Sequence, residues 1–257
     1  MDRLGASRWL GKNLTRLDSV GSTNQVLRER MRQEEVPAGA AVMAGRQTAG
    51  RGRMGRAWWS PPDQGLYVSV LLYPPPLRQG GILSLLAGVA LTDAVRTLTG
   101  LSPGLKWPND AVMGGKKYAG ILVEGGTDPR PWAIVGMGIN VRGTVPGEFP
   151  QATTISQQAG REIDREELWE TLAPALETWY ERWESEGNAP VAEAWRRASV
   201  TLGQEVEAWA ASGRITGIAE DIAEDGALLI RQGSRCIPVI SGEVSLRLAN
   251  GGYAPES

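Results

Sequence analysis

Near residue 200 the apolar residues of this chain stop alternating between helical and strand spacing and keep only the strand kind, and that change limits the fold more than any other feature. Upstream, helical and strand periods alternate. Leu83, Leu86, Ala87, Ala90, Leu91, Ala94 and Leu98 mark one face of a helix that Gly100 ends. Asp164, with Glu167 in capping-box spacing, opens a second amphipathic helix carrying Leu168, Leu172, Leu176, Trp179 and Trp183. Ser22 and Thr23 can cap a shorter helix that presents Val26, Leu27 and Met31 and ends around Glu35. Residues 40–44 and 66–73 read as strands, the latter closed by Pro74, Pro75 and Pro76. So do 118–124 and 132–141, which flank a turn at 125–129. Downstream of Trp195 only short strands are expected, over 205–210, 214–222, 227–231, 236–240 and 243–248, with turns at Gly213, Gly226, Gly233 and Gly242. This order fits an α+β chain: a larger domain of helices and strands over residues 1–200 and a small β-barrel over 201–257, with a tail that frays from residue 250.

A chain of 257 residues, 42% of them apolar, can bury a large core. Its net charge of −2 argues against bulk attraction to nucleic acid. Arg51, Arg53, Arg56, Lys106, Lys116 and Lys117 nevertheless gather positive charge into short stretches, a local field that suits a nucleotide better than a DNA duplex. Histidine is absent, which removes Ser-His-Asp and Cys-His nucleophile systems and every histidine-ligated metal site. The single cysteine, Cys236, lies in the apolar stretch 236–240 and reads as a small buried hydrophobe. The N-terminus has no continuous apolar core like that of a signal peptide, and the apolar helical stretch 82–91 is too short to cross a bilayer. Both point to the cytoplasm and away from a membrane.

Gly50, Gly52 and Gly55 satisfy the spacing of a dinucleotide-binding turn. That turn needs a helix to begin at the loop and an acidic residue about 20 positions on. Here Pro61 and Pro62 bar an ordinary helix, and the expected acidic position falls in 71–76, where no carboxylate exists. No Walker A loop occurs. The segment is therefore expected to be a mobile, basic, non-helical loop that closes over a phosphate. Lys117 stands at the mouth of the strand over 118–124, a rigid place for a cation. A carboxylate that must acylate an amine at neutral pH needs a leaving group, and attack on the α-phosphate of ATP supplies AMP as one. Such a site must position the reactants and neutralise charge, roles that suit the Lys117 ammonium and the Arg53 guanidinium.

Ser22-Thr23-Asn24, Gln47 with the loop 50–56 and Trp58, Lys106-Trp107-Pro108-Asn109-Asp110, the run 116–124, the run 136–141 and the run 242–247 resemble, in order and spacing, the biotin protein ligases. The likeness covers nearly the whole chain. It implies a mixed-sheet catalytic domain of the biotin/lipoate ligase type followed by an SH3-like barrel. It also implies a two-step reaction, in which biotin and MgATP give biotinyl-5′-AMP and pyrophosphate and a lysine of a carboxylase carrier domain then takes the biotinyl group. Only 21 residues precede Ser22, so the resemblance is to the short form that lacks a DNA-binding domain and represses nothing. Lipoate ligation fits less well, because the Gly-Arg-Gly-Arg loop and Lys-Trp-Pro-Asn-Asp belong to the biotin ligases. A non-catalytic biotin sensor or nucleic-acid binder is weighed against by the acidic balance.

Carried over residue by residue, the resemblance gives catalytic roles to Lys117, Arg53 and Asp110. Biotin contacts fall to Ser22, Thr23, Asn24, Gln47, Gly50, Arg51, Lys117, Gly120 and Gly138. Contacts with ATP and the adenylate fall to Arg51, Arg53, Arg56, Trp58, Lys117, Asn140 and Arg247. Each residue has an ordinary structural reading as well: a solvated lysine pair at 116–117, a core tryptophan at 58, a turn cap at 110, caps or turns at 22–24, and a Glu243–Arg247 ion pair. For Asp110 three roles stay open: orienting the acceptor lysine, accepting its proton, or helping to hold magnesium. The carrier could dock by strand addition along a sheet edge, and since family members dimerise in varied ways the resemblance also leaves a homodimer open.

Overall fold

Along its whole length the strand Gly65–Leu72 is buried, with Leu66, Val68, Val70 and Leu72 on one face and Tyr67 and Leu71 on the other. A strand covered on both faces must be central, and the larger sheet is built around it. In this computed structural model residues 6–75, 81–210, 213–240, 245–248 and 253–254 are described. The strands are β1 (Leu14–Val20), β2 (Ala41–Gln47), β3 (Gly65–Leu72), β4 (Gly104–Lys106), β5 (Asp110–Met113), β6 (Lys116–Gly126) and β7 (Trp132–Asn140). They form a seven-stranded sheet in the order β1-β2-β3-β7-β6-β5-β4. The β1–β2 pair is parallel and the rest antiparallel, so the sheet is mixed.

Helix α1 (Thr23–Gln33) lies on one face and buries Leu27 against Val42, Leu71 and Ile134. On the other face lies α2 (Ile82–Thr99), the periodic helix, which Gly100 terminates in the left-handed region at φ 74°. Glycine reaches that conformation without a Cβ clash. Outside α2 pack α4 (Arg165–Glu186) and α5 (Ala189–Ala198), while α3 (Ile155–Ala159) is a short turn of helix after the sheet. Helix α2 is longer than the 82–91 stretch suggested: its 18 residues have the length and hydropathy to span a bilayer, but 67% of them are buried between the sheet and α4–α5. Its apolarity serves the core.

The remaining strands, β8 (Glu205–Ala210), β9 (Gly213–Ile222), β10 (Leu228–Gln232), β11 (Arg235–Val239) and β12 (Ser245–Leu248), form a separate antiparallel sheet in the order β11-β10-β9-β8-β12. The α+β expectation and the switch to a small C-terminal sheet therefore hold. Trp107 joins the two sheets: its backbone N–H donates to Thr201 Oγ1 at 2.9 Å, and its indole N–H donates to the Gly226 carbonyl at 3.0 Å.

Several local expectations need correction. Cys236 is exposed, because it stands on the outward side of β11 at the sheet edge, opposite Arg231. Ser22 occupies the N-cap position of α1 without making a side-chain cap bond. Asp164 caps α4 by accepting from the N–H groups of Glu166 and Glu167. The glycine–arginine loop is not wholly non-helical, since Arg53–Gly55 makes a 3-10 turn. Gly242, Glu243 and the other residues from 241 to 244 lie outside the described residues, as does the side chain of Arg247 in β12.

Glu177 on α4 ties down the N-terminal segment. Its buried carboxylate accepts from the backbone N–H groups of Arg8, Trp9 and Leu10 at 2.8–2.9 Å and from Arg8 Nε at 3.2 Å. Burial alone would push this carboxyl up, but the three backbone donors and Arg8 outweigh it and hold it below its ordinary value. Glu177→Ala is expected to cost about 3 kcal/mol, the consequence of leaving several buried donors without an acceptor, measurable by urea unfolding at pH 7. A depressed carboxyl stabilises the fold above its unfolded pKa and loses that effect as pH falls through the folded one. The gap between parent and variant should accordingly be full above about pH 4.5 and shrink on further acidification. Equal unfolding midpoints at pH 7 would contradict this role.

Candidate active site

The sheet ends carry the chemistry. Lys117 is the second residue of β6, and its backbone is fixed on its outer side by residues 151–153: the Lys117 N–H donates to Gln151 at 2.8 Å and the Thr153 N–H donates to Lys117 at 2.9 Å. Asp110 begins β5, next to β6, and lies opposite Gly120 in the register. The side chains meet there, with Lys117 Nζ 2.5 Å from Asp110 Oδ1. The other carboxylate oxygen accepts from the Tyr253 hydroxyl. Burial alone would raise the Asp110 pKa, but Lys117, the Tyr253 hydroxyl and Lys106 overcome it and hold the carboxyl below its usual range.

Arg53 reaches toward this pair from the 3-10 turn. Its guanidinium donates to Asn109 Oδ1 at 3.3 Å, and burial, with Arg56 nearby, lowers its pKa while Asp110 opposes the shift. The loop is drawn back on itself by the Arg51–Ala57 bridge, a Gly52 N–H to Arg56 bond of 2.7 Å and a Trp58 N–H to Gly50 bond of 2.9 Å. A Cβ at Gly50 would lie 2.9 Å from both Ser60 Oγ and the Trp58 carbonyl, so this glycine lets the two arms of the loop close.

Gly120 and Gly138 face each other across β6 and β7 and leave a shallow trench in the sheet. The Trp58 indole lies over it: a Cβ at Gly138 would stand 2.4 Å from Trp58 Nε1, and one at Gly120 3.0 Å from the ring edge. Lys117 Nζ is 5.1 Å from the centre of the Trp58 ring, within the range of a cation–π contact. The buried Trp58 Nε1 has no hydrogen-bond partner among the described residues.

At the start of α1 the side chains of Thr23 and Asn24 turn inward. Gln47 Oε1 accepts from the Thr23 N–H at 2.9 Å, the Ser69 hydroxyl is 2.6 Å from both Thr23 Oγ1 and Asn24 Oδ1, and Asn24 Nδ2 donates to Glu124 at 2.7 Å. Arg28 closes the network by pairing with Glu124. The result is a buried polar wall of paired donors and acceptors with apolar β3 and β7 beside it.

These groups converge on one cavity of about 520 Å³. Ser22, Thr23, Asn24 and Gln47 line one end. Gly120, Gly138, Trp58 and Asn140 line the middle, and Arg51, Arg53, Arg56, Asp110 and Lys117 the rest. Gly50 lies behind the loop and is not in the lining. Asn140 is turned to the segment after the sheet, its amide donating to the Thr153 carbonyl at 3.2 Å.

The arrangement is matched in known proteins. Residues 17–140 match the Biotin/lipoate A/B protein ligase family, and residues 201–247 match the Biotin protein ligase C terminal domain. The biotin--[acetyl-CoA-carboxylase] ligase of Mycobacterium tuberculosis is 35% identical over 243 residues, which span 91% of this chain and 90% of that protein. The chain belongs to the biotin protein ligase family. The bifunctional ligase/repressor BirA of Bacillus subtilis is 33% identical over 92% of this chain and 75% of that protein. The biotin protein ligase from Aquifex aeolicus, solved in complex with biotin and ATP, superposes with a TM-score of 0.83 at 34% identity, covering 93% of this chain and all of that one. The activity of this biotin protein ligase is the ATP-dependent attachment of biotin.

The structure adds lining residues that sequence reasoning missed. Val145, Phe149, Gln151 and Ala152 come from the irregular segment after β7, and the Phe149 ring lies 6.0 Å from that of Trp59 at the cavity mouth. No period marks such a segment. Tyr253 comes from the tail expected to fray and instead packs beneath Lys106.

Proposed function

We propose that Lys117 is the charge-bearing group of both steps, that Asp110 orients it, and that Arg53 holds the phosphate of the intermediate. In the first step the biotin carboxylate attacks the α-phosphate of ATP, an acyl–phosphate bond forms, and pyrophosphate leaves. The two approaching groups are anions, and the Lys117 ammonium offsets their repulsion in a partly buried site. In the second step the uncharged amine of a carrier lysine attacks the acyl carbon, an amide forms, and AMP leaves with the bonding electrons. The observation that carries this reading is the Lys117–Asp110 pair of 2.5 Å at the edge of a glycine-floored cavity.

The polar wall of Thr23, Asn24 and Gln47 suits a ligand with a urea-like head, and the apolar lining of the same cavity, Ile121, Leu122 and Met137, suits an apolar body. Among the three roles open to Asp110, the geometry favours orientation. A carboxyl held below its usual range is a poor proton acceptor, and both its oxygens are already engaged. Magnesium enters this reading with ATP, held chiefly by phosphate oxygens and waters, as is usual for this ion. Arg51, Arg56 and Trp58 complete the nucleotide side. Acceptor recognition is assigned to a carboxylase carrier domain docking on the free edge of β1, since β4 at the other edge is bridged by Ser199. The same reading places the enzyme in the cytoplasm and leaves a homodimer open.

Arg53→Gly removes the guanidinium and its tie to Asn109. It should leave adenylation within about tenfold of the parent while biotinyl-5′-AMP escapes and labels bystander lysines, since a lost phosphate contact speeds dissociation by roughly that factor. The measurement is biotin incorporation into an unrelated protein lacking a carrier fold. Equal bystander labelling by parent and variant would remove Arg53 from this role. The whole reaction is tested with labelled biotin, MgATP and a carrier domain.

A further inference from the structure

Tyr253 belongs to none of the motifs above, yet it makes two contacts with the charged centre of the cavity from 143 residues away in sequence. Its hydroxyl donates to Asp110 Oδ2, while Lys117 Nζ holds Oδ1 at 2.5 Å. Its ring lies under Lys106 Nζ, 3.6 Å from the ring centre, well inside cation–π range. A carboxylate gripped at each oxygen by a different partner cannot rotate without breaking one of the contacts.

We propose that Tyr253 is a positioning residue for adenylate formation: its hydroxyl locks the Asp110 carboxylate, and the locked carboxylate aims the Lys117 ammonium into the cavity. The proposal rests on the roles given to Lys117 and Asp110 above. Three cations face Asp110, namely Lys117 from β6, Lys106 from β4 and Arg53 from the loop turn. Lys106 and Arg53 each compete with Lys117 for the carboxylate and can pull it out of register. A phenol fixes the second oxygen without adding a further competing charge. Burial, reinforced by Asp110, keeps the phenol well above its ordinary pKa, so it remains a donor at neutral pH. The ring also restrains Lys106, so that one aromatic side chain orders both neighbours.

The test uses the full chain and single-turnover formation of biotinyl-5′-AMP from biotin and MgATP, with enzyme in excess so that slow variants stay measurable. Tyr253→Phe keeps the ring and deletes the hydroxyl. Its rate constant at saturation should fall about tenfold, the loss expected when a hydrogen bond to a charged group disappears, with the biotin concentration for half-maximal rate within about twofold of the parent. In an Asp110→Asn background the same substitution should change the rate less than about twofold, because the hydroxyl acts through that carboxylate. A merely structural tyrosine would lower both backgrounds equally, and that result overturns the proposal. So does a parent-like rate for Tyr253→Phe while Lys117→Ala is impaired. A parent rate for Lys117→Ala instead removes the reading of the site itself, and the Tyr253 proposal falls with it.

Discussion

Lys117→Ala should slow the formation of biotinyl-5′-AMP by about 10²–10³-fold, the range observed when one preorganised electrostatic donor is removed from a developing negative charge. The backbone at this position is fixed by hydrogen bonds to residues 151–153 and by pairing in β6, so a methyl group in place of the ammonium stem leaves the strand intact. The damage is then confined to charge. Asp110 would lose its principal partner and keep the Tyr253 hydroxyl, Lys106 and Arg53, so the variant presents a less neutralised carboxylate where a phosphate must arrive. Lys117→Arg tests the requirement for shape: it keeps the charge but replaces a compact ammonium with a planar fork, and should recover only part of the loss. Pyrophosphate release in the absence of carrier isolates the step, and an alanine variant as fast as the parent would be incompatible with the proposed chemistry.

Trp107→Ala should destabilise the protein by about 3–5 kcal/mol, the cost of replacing a large buried aromatic by a methyl group. Trp107 is 1% exposed, and its indole N–H holds the Gly226 carbonyl of the turn before β10. Truncation opens a cavity between the two sheets and strips that carbonyl of its donor. Trp107→Phe fills most of the space without the hydrogen bond and should cost about half as much. Denaturant unfolding followed by far-UV dichroism reports the loss. If the alanine variant unfolded at the parent midpoint, the two sheets would have to be held together elsewhere. The Lys-Trp-Pro-Asn-Asp stretch thus performs two tasks, since its tryptophan secures the C-terminal sheet while its aspartate serves the cavity.

The elements that could be read from the sequence are those whose burial follows a single period. Helix α2 is apolar toward both the sheet and α4–α5 and has a glycine stop, and α4 has a capping aspartate, so both stood out. Strand β1, Leu14–Val20, did not, because an edge strand pairs on one side only and carries mostly half-exposed residues. Helix α5 was hidden by Asn188 and Pro190, which resemble a turn until Val191 and Trp195 are seen to share a buried face. Cys236 was misjudged because an apolar run at a sheet edge still alternates inward and outward. In the site, the motif residues Lys117, Asp110, Thr23, Asn24 and Gln47 line the same cavity. What the motifs could not reveal were Phe149 and Tyr253, brought in by segments with no periodic signal.

The trench between Gly120 and Gly138 is made by two side chains that are not there, so random substitution can alter it in one direction only. Any other residue at position 138 drives a carbon into the Trp58 indole, with no smaller residue left to open the floor further. Drift at these sites can only crowd the indole and never give it more room. A bulkier vitamin analogue would have to be admitted through the walls, at Trp58 or along the α1 end of the cavity, while the paired strands beneath kept their present width.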